Sequence, residues 1–174
     1  MADMLVKLYN LPDPTPLMAE LKAKGIEIRR AGLAEKQVVV DWVRSHFWEV
    51  WAAECEASIE QRPVTCFVAV QKQKDLEPSD DPYQQPPEEL LGFACYDVAA
   101  RGFFGPTGVH PDCRGQGIGK ALLLATLHAM HQERYGYAII YWVGPTEFYA
   151  KSVGATVIEG SEPGIAHGFL VGKE

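Results

Sequence analysis

The chain has 174 residues, 47% of them hydrophobic, enough to bury one sizeable core and short for two ordinary domains, so a single domain is expected. Sixteen Lys and Arg against 23 Asp and Glu give a net charge of −7, and no basic stripe with interleaved aromatics appears, which argues against generic nucleic-acid binding and fits a cationic acceptor as well as plain solubility. No apolar run approaches the ~20 residues of a membrane span, and the N-terminus lacks a basic region followed by a long apolar stretch, so no membrane partner and a cytoplasmic location are expected.

In chain order, residues 4–8 predict a short strand, a Pro-punctuated stretch follows, and a short helix is predicted over 17–24. Residues 25–31 (GIEIRRA) alternate apolar and charged side chains at period two, the pattern of a half-buried strand. Helical spacing then predicts helices over 35–46 and 48–61. Their aromatic cluster, Trp42, Phe47, Trp48 and Trp51, either packs in the core or contacts substrate. Pro63 stops the second helix, and residues 64–70 (VTCFVAV) form a buried strand. Residues 71–89 are dense in Pro and acidic side chains and cannot bury enough apolar surface to offset their ordering entropy; they read as a long solvated loop or as an acidic lid over a cationic acceptor.

Strands are predicted over 90–98 and 102–109, joined by a tight turn, and a helix over 116–134. A strand at 137–143, a short helix at 146–152 and a closing strand pair at 155–159 and 168–171 complete the chain. The four cysteines, Cys55, Cys66, Cys95 and Cys113, are scattered without a C-x-x-C pair, which favours free thiols over a disulfide framework or a zinc site. His128 and His131 share a helix face at a spacing able to hold a metal, but with no third ligand in view they read as a solvated face.

The chemistry concentrates where the strand at 102–109 meets the long helix: Val109-His110-Pro111-Asp112-Cys113-Arg114-Gly115-Gln116-Gly117-Ile118-Gly119-Lys120. Glycines let a pyrophosphate approach the backbone, and the first N–H groups of the helix have no intrahelical acceptor and sit at the positive end of its dipole. Arg114 adds a fixed cation whose fork suits phosphate oxygens. The segment is not a Walker loop, because Arg114 stands where the first Gly belongs and Ala121 replaces the magnesium-binding hydroxyl. Nor is it a dinucleotide fingerprint, since Lys120 or Leu122 occupies the last Gly position.

Arg114, Gly117 and Gly119, with Val109 and Pro111 as lead-in, resemble the acetyl-CoA motif [QR]-x-x-G-x-[GA] of the GNAT superfamily of N-acetyltransferases. The element order over 25–174 matches that family. The resemblance implies an α/β fold of the α+β type: a central mixed, mostly antiparallel sheet flanked by helices, with a cofactor cleft between two splayed strands. The arm at 1–24 lies upstream of the family's usual core and reads as an accessory element, an edge strand or a contact within a homodimer. The resemblance further implies acetyl-CoA as co-substrate and a primary amine of a small molecule or peptide as acceptor. Gly108, Val109 and His110 would flank the pantetheine arm, and Arg114, Gly115, Gln116, Gly117, Ile118, Gly119 and Lys120 would hold the pyrophosphate.

Catalytic residues are less legible. Direct attack needs a neutral amine, yet an alkyl amine of Lys type has a pKa near ~10.4. Many relatives carry a carboxylate base on the strand before the loop, but residues 102–109 contain no acid. Asp97 on the neighbouring strand is the first candidate, with Glu56 and His46 as alternatives. Tyr149 matches the family's usual acid for the leaving thiolate, although Gly154 follows it by five residues rather than four and Trp142 stands where an Asn is common. The missing base leaves a second reading open, a catalytically weak acyl-CoA-binding sensor or interaction domain.

Overall fold

The computed structural model of the protein describes residues 1–72 and 88–165. One seven-stranded sheet runs through it in the order β2-β3-β4-β5-β6-β1-β7. The strands are β1 (Met4–Lys7), β2 (Ile26–Arg30), β3 (Cys66–Lys72), β4 (Glu88–Tyr96), β5 (Phe103–Val109), β6 (Tyr137–Ile140) and β7 (Thr156–Val157). All neighbours pair antiparallel except β5 and β6. This is the mixed, mostly antiparallel sheet expected from the sequence.

The helices α1 (Thr15–Ala23), α2 (Lys36–His46), α3 (Glu49–Glu60), α4 (Ile118–Gln132) and α5 (Thr146–Val153) cover the sheet. Side chains alternate faces along a strand, so the sheet builds two cores. On one face Leu122, Leu123, Leu127 and Met130 of α4 close over Phe104, Ala94 and Ile140. On the other, Val39, Val40 and Val43 of α2 with Ala52, Cys55 and Ile59 of α3 close over Val68, Phe93 and Cys95. The Arg30–Glu133 ion pair at 2.9 Å and the 2.5 Å hydrogen bond from the Tyr96 hydroxyl to Glu133 Oε1 join β2 and β4 to the end of α4.

Two features depart from simple expectation. The segment 71–89 is partly strand, because Gln71 and Lys72 pair with Glu89 and Glu88; residues 73–87 lie outside the described residues. The predicted strand at 168–171 also lies outside them. The first strand, from the N-terminal arm, sits inside the sheet rather than at its edge: Met4 faces Ile140 of β6 on one side and Val157 of β7 on the other. Its Met4 and Val6 are buried, and Met4 and Leu5 have strand partners on both sides.

The sequence spacing also hides a cluster of thiols. Cys66 and Cys95 are cross-strand partners, and Cys55 reaches them from α3, so the three buried sulfurs lie within 4.8 Å of one another. All four cysteines are free, and burial pushes the Cys95 thiol above its ordinary value.

Candidate active site

β5 and β6 pair only at Phe103–Ile139 and Phe104–Ile140; beyond them the two strands separate. β6 ends at Ile140, and two residues later Trp142 adopts a left-handed φ of 52°. Its N–H is held at 2.9 Å by the carboxylate of Asp3, a buried residue of the arm, and a non-glycine residue in this region persists only where its surroundings impose it. Among the described residues β5 continues to Val109 with one edge unpaired. Backbone groups alternate sides along a strand, and the His110 N–H donates to Leu91 on β4 at 2.8 Å, so the Val109 N–H points into the cleft. The Val109 carbonyl on that side accepts from Arg114 Nε at 3.3 Å.

A cavity of about 840 Å³ lies at this opening. Its floor is the strand Thr107, Gly108 and Val109, and its rim is the glycine loop with Arg114, Gly115, Gly117, Ile118, Gly119 and Lys120. Gly117 caps α4 at φ 88°, a conformation that favours glycine. The first helical hydrogen bond runs from Ala121 N–H to the Gly117 carbonyl at 2.9 Å, so the N–H groups of Ile118, Gly119 and Lys120 have no helical acceptor at the cavity rim. Gly108 serves the opposite wall, because a Cβ there would stand 2.5 Å from Phe47 Cζ. Only glycine lets that ring lie flat against β5. Phe47 and Trp51 therefore both pack and line the cavity, whereas the exposed Trp48 only lines it.

A second, smaller cavity of about 350 Å³ adjoins the first and shares Trp48, Trp51, Phe104, Thr107, Pro145 and Tyr149 with it. Its remaining walls come from Met1, residues 105–106 of β5 and residues 140–144 at the end of β6. Tyr149 thus faces both. The extra residue before Gly154 is absorbed in α5, which runs to Val153 and ends on Gly154 at φ 66°. Burial pushes the Tyr149 hydroxyl up to about 12, so it keeps its proton at neutral pH.

The expected site residues divide accordingly. The cavity brings together Gly108, Val109, Arg114, Gly115, Gly117, Ile118, Gly119, Lys120 and Tyr149. His110 and Gln116 do not line it; the His110 ring instead accepts the Asp112 N–H at 3.3 Å and caps the turn. Asp97, expected as a base, is likewise outside both cavities. It sits at the β4–β5 turn, beside the start of β5, with φ 60°. Its carboxylate accepts from the Gly102 N–H at 2.7 Å and the Tyr135 hydroxyl at 2.6 Å, so it closes a turn rather than facing the cleft. Glu56 pairs with Lys36 at 3.2 Å on the surface, whereas His46 does line the larger cavity. His128 and His131 each bond a backbone carbonyl, of Pro12 and Tyr135.

Sequence reasoning missed Glu54. From α3 its carboxylate accepts the Tyr141 hydroxyl of the second cavity, whose one proton is shared between two oxygens at 3.1 and 3.2 Å. Half-buried, its carboxyl is raised above the usual carboxylate range by burial, against the lowering effect of that hydrogen bond. Only a helical register placing residue 54 toward the sheet could have signalled it.

The splayed strands, the open edge of β5 and the glycine loop at the start of α4 define an acyltransferase-type cleft. A model of the acetyltransferase (GNAT) family matches residues 33–155, and the chain belongs to that family. Among solved structures, the GCN5-related glucosamine N-acetyltransferase region of a fungal multi-domain GH3 β-N-acetylglucosaminidase aligns with 90% of this chain and 19% of its own, at 15% identity and TM-score 0.67. A GCN5-related N-acetyltransferase from Sphaerobacter thermophilus aligns with 90% of this chain and 48% of its own, at 17% identity and TM-score 0.61. A GCN5-related N-acetyltransferase-like protein from Streptococcus suis covers 91% and 58%, at 12% identity and TM-score 0.54. The chain thus spans less than two thirds of each of these. No curated protein matches it.

Proposed function

We propose that the protein transfers the acetyl group of acetyl-CoA to the primary amine of a small molecule or peptide by direct attack. The observation that carries this reading is the unpaired edge of β5 leading directly into the free N–H groups of the α4 loop, both bordering the 840 Å³ cavity. Acetyl-CoA supplies the activated thioester. The loop N–H groups, with Arg114 and Lys120, bind its pyrophosphate, and the open edge at Thr107 to Val109 aligns its pantetheine amide groups. The Val109 N–H polarises the thioester carbonyl, and Tyr149, protonated at neutral pH, gives the departing thiolate a proton.

The fungal neighbour is described as acting on glucosamine, which makes an amino sugar a first acceptor to assay. Calorimetric titration of acetyl-CoA, followed by thiol release with a panel of primary amines, tests the proposal. Saturable binding with amine-dependent release supports it. Binding without release from any amine leaves a sensor, and absence of binding by folded protein removes the cofactor assignment.

A further inference from the structure

The second cavity holds information on the acceptor. Its walls contain the side chains of Trp48, Trp51, Phe104, Tyr141, Trp142 and Tyr149, and among the described residues no Asp, Glu, Lys, Arg or His lines it. At about 350 Å³ it lies at the small end of ligand pockets. Such a site cannot pair the several charges of a polyamine or of a charged peptide, because each ammonium brought into it beyond the first would lose its water without gaining a counter-ion. Aromatic faces, with their negative π quadrupole, do favour one cation and the weakly positive C–H groups of a flat ring.

One acid stands directly behind this aromatic wall. Tyr141 lines the cavity, and its hydroxyl donates to Glu54, as described above. Tyr141, the residue after β6, is the ionisable group in contact with Glu54, and the buried Cys95 thiol on β4 is the other that faces the pair. Tyr141 rests on Gly105, where a Cβ would stand 3.1 Å from its ring, so the hydroxyl is fixed beside the strand that receives the thioester.

Resting on the transferase reading above, we propose that the acceptor is a single primary ammonium on a compact, uncharged ring body, and that Tyr141 relays its proton to Glu54. The ammonium gives one proton to the Tyr141 oxygen as Tyr141 passes its own to the Glu54 carboxylate, leaving a neutral amine. The amine nitrogen attacks the thioester carbon; the C–N bond forms and the C–S bond breaks. The thiolate takes a proton from Tyr149, Tyr149 recovers one from the nitrogen, and Glu54 releases its proton to water. Glu54 acts through Tyr141 and does not itself touch the substrate.

The test is steady-state thiol release from acetyl-CoA with glucosamine, phenethylamine, spermidine and a lysine-containing peptide. Expected is at least a tenfold higher kcat/KM for glucosamine or phenethylamine than for the other two, with the comparison of those two assigning a hexosamine or an arylalkylamine. Preference for spermidine or the peptide overturns the inference while leaving the transferase reading intact; acetyl-CoA binding with no turnover of any of the four also overturns the inference and favours the sensor instead. Failure to bind acetyl-CoA at all fails the transferase reading instead. With the preferred amine, Glu54→Gln and Tyr141→Phe are each expected to lower kcat about 10²-fold at pH 7 with KM changed less than threefold. Their rates should climb tenfold per pH unit toward the amine's own pKa. A pH profile identical to that of the wild type, or a loss confined to KM, overturns the relay.

Discussion

Replacing Gly119 with Glu separates binding from folding by opposite signs. Gly119 is the second residue of α4, and a Cβ there would lie 3.5 Å from Val109 Cγ2 and 4.0 Å from Phe148 Cζ, ordinary contact distances. Gly117 is a poorer choice, since its φ of 88° and a Cβ 3.0 Å from Leu17 Cδ1 would add strain. Replacing a mid-helix glycine is worth about 0.5–1 kcal/mol, an upper bound for this first-turn position, and a carboxylate in the first turn adds about 0.3–1 kcal/mol through the helix dipole. At about 2–4 °C per kcal/mol for a chain of this size, Tm should rise by a few degrees. The same carboxylate meets the pyrophosphate: one charge pair at ~4 Å and an effective dielectric of ~20 repels by about 4 kcal/mol. Even with screening this predicts a 10²–10³-fold weaker Kd for acetyl-CoA. Thermal melts and calorimetric titration of both proteins measure the two effects. A variant with raised Tm and wild-type affinity would refute the placement of the pyrophosphate at this helix.

Gly108→Ala should lower stability by about 1–3 kcal/mol in denaturant unfolding, the usual cost of overpacking, because its methyl group meets the Phe47 ring at 2.5 Å; adding Phe47→Ala should recover part of that loss, and strictly additive effects would contradict the contact. Tyr149→Phe should leave acetyl-CoA affinity within threefold of wild type and reduce kcat by about 10–100-fold, and unchanged kcat would assign the thiolate's proton to water. Glu54→Gln should be more stable than wild type at pH 7. The folded carboxyl is raised above its unfolded value of ~4.3 by burial, so the fold binds more protons between the two values and loses stability as pH rises through that window. The variant escapes this, and a wild type whose stability rises with pH there, relative to the variant, contradicts the assignment.

Contiguous chemistry was legible in the sequence, and chemistry assembled across the fold was not. The glycine loop could be read because its donors, its cation and its helix start lie within Val109 to Lys120, where local geometry decides the outcome. Strands β2 to β6 and helices α2 to α5 followed from period and from breakers such as Pro63. The Glu54–Tyr141 pair joins positions 87 residues apart and exists only once α3 lies on the sheet. Asp97 shows the converse: a carboxylate on the strand next to β5 is near the cleft by sequence logic, yet the turn at φ 60° directs it to Gly102 and Tyr135. Cys55, Cys66 and Cys95 lacked any recognisable spacing because strand register and a helix face, rather than sequence neighbourhood, bring them together.

The interior position of β1 sets the order in which this molecule can be completed during synthesis. β1 precedes its partners in the chain, but β6 lies beyond residue 136 and β7 later still, so its apolar side chains must wait for almost all of the described chain before they are covered. Such long-range closure is entropically slow compared with the α2–α3 hairpin or the β3–β4 pair. Because β7 is attached to the sheet, among the described residues, through β1, loss of this strand would free the last described strand as well and would withdraw Asp3 from Trp142. The turn at Trp142 beside the second cavity is therefore completed late, together with the sheet around β1.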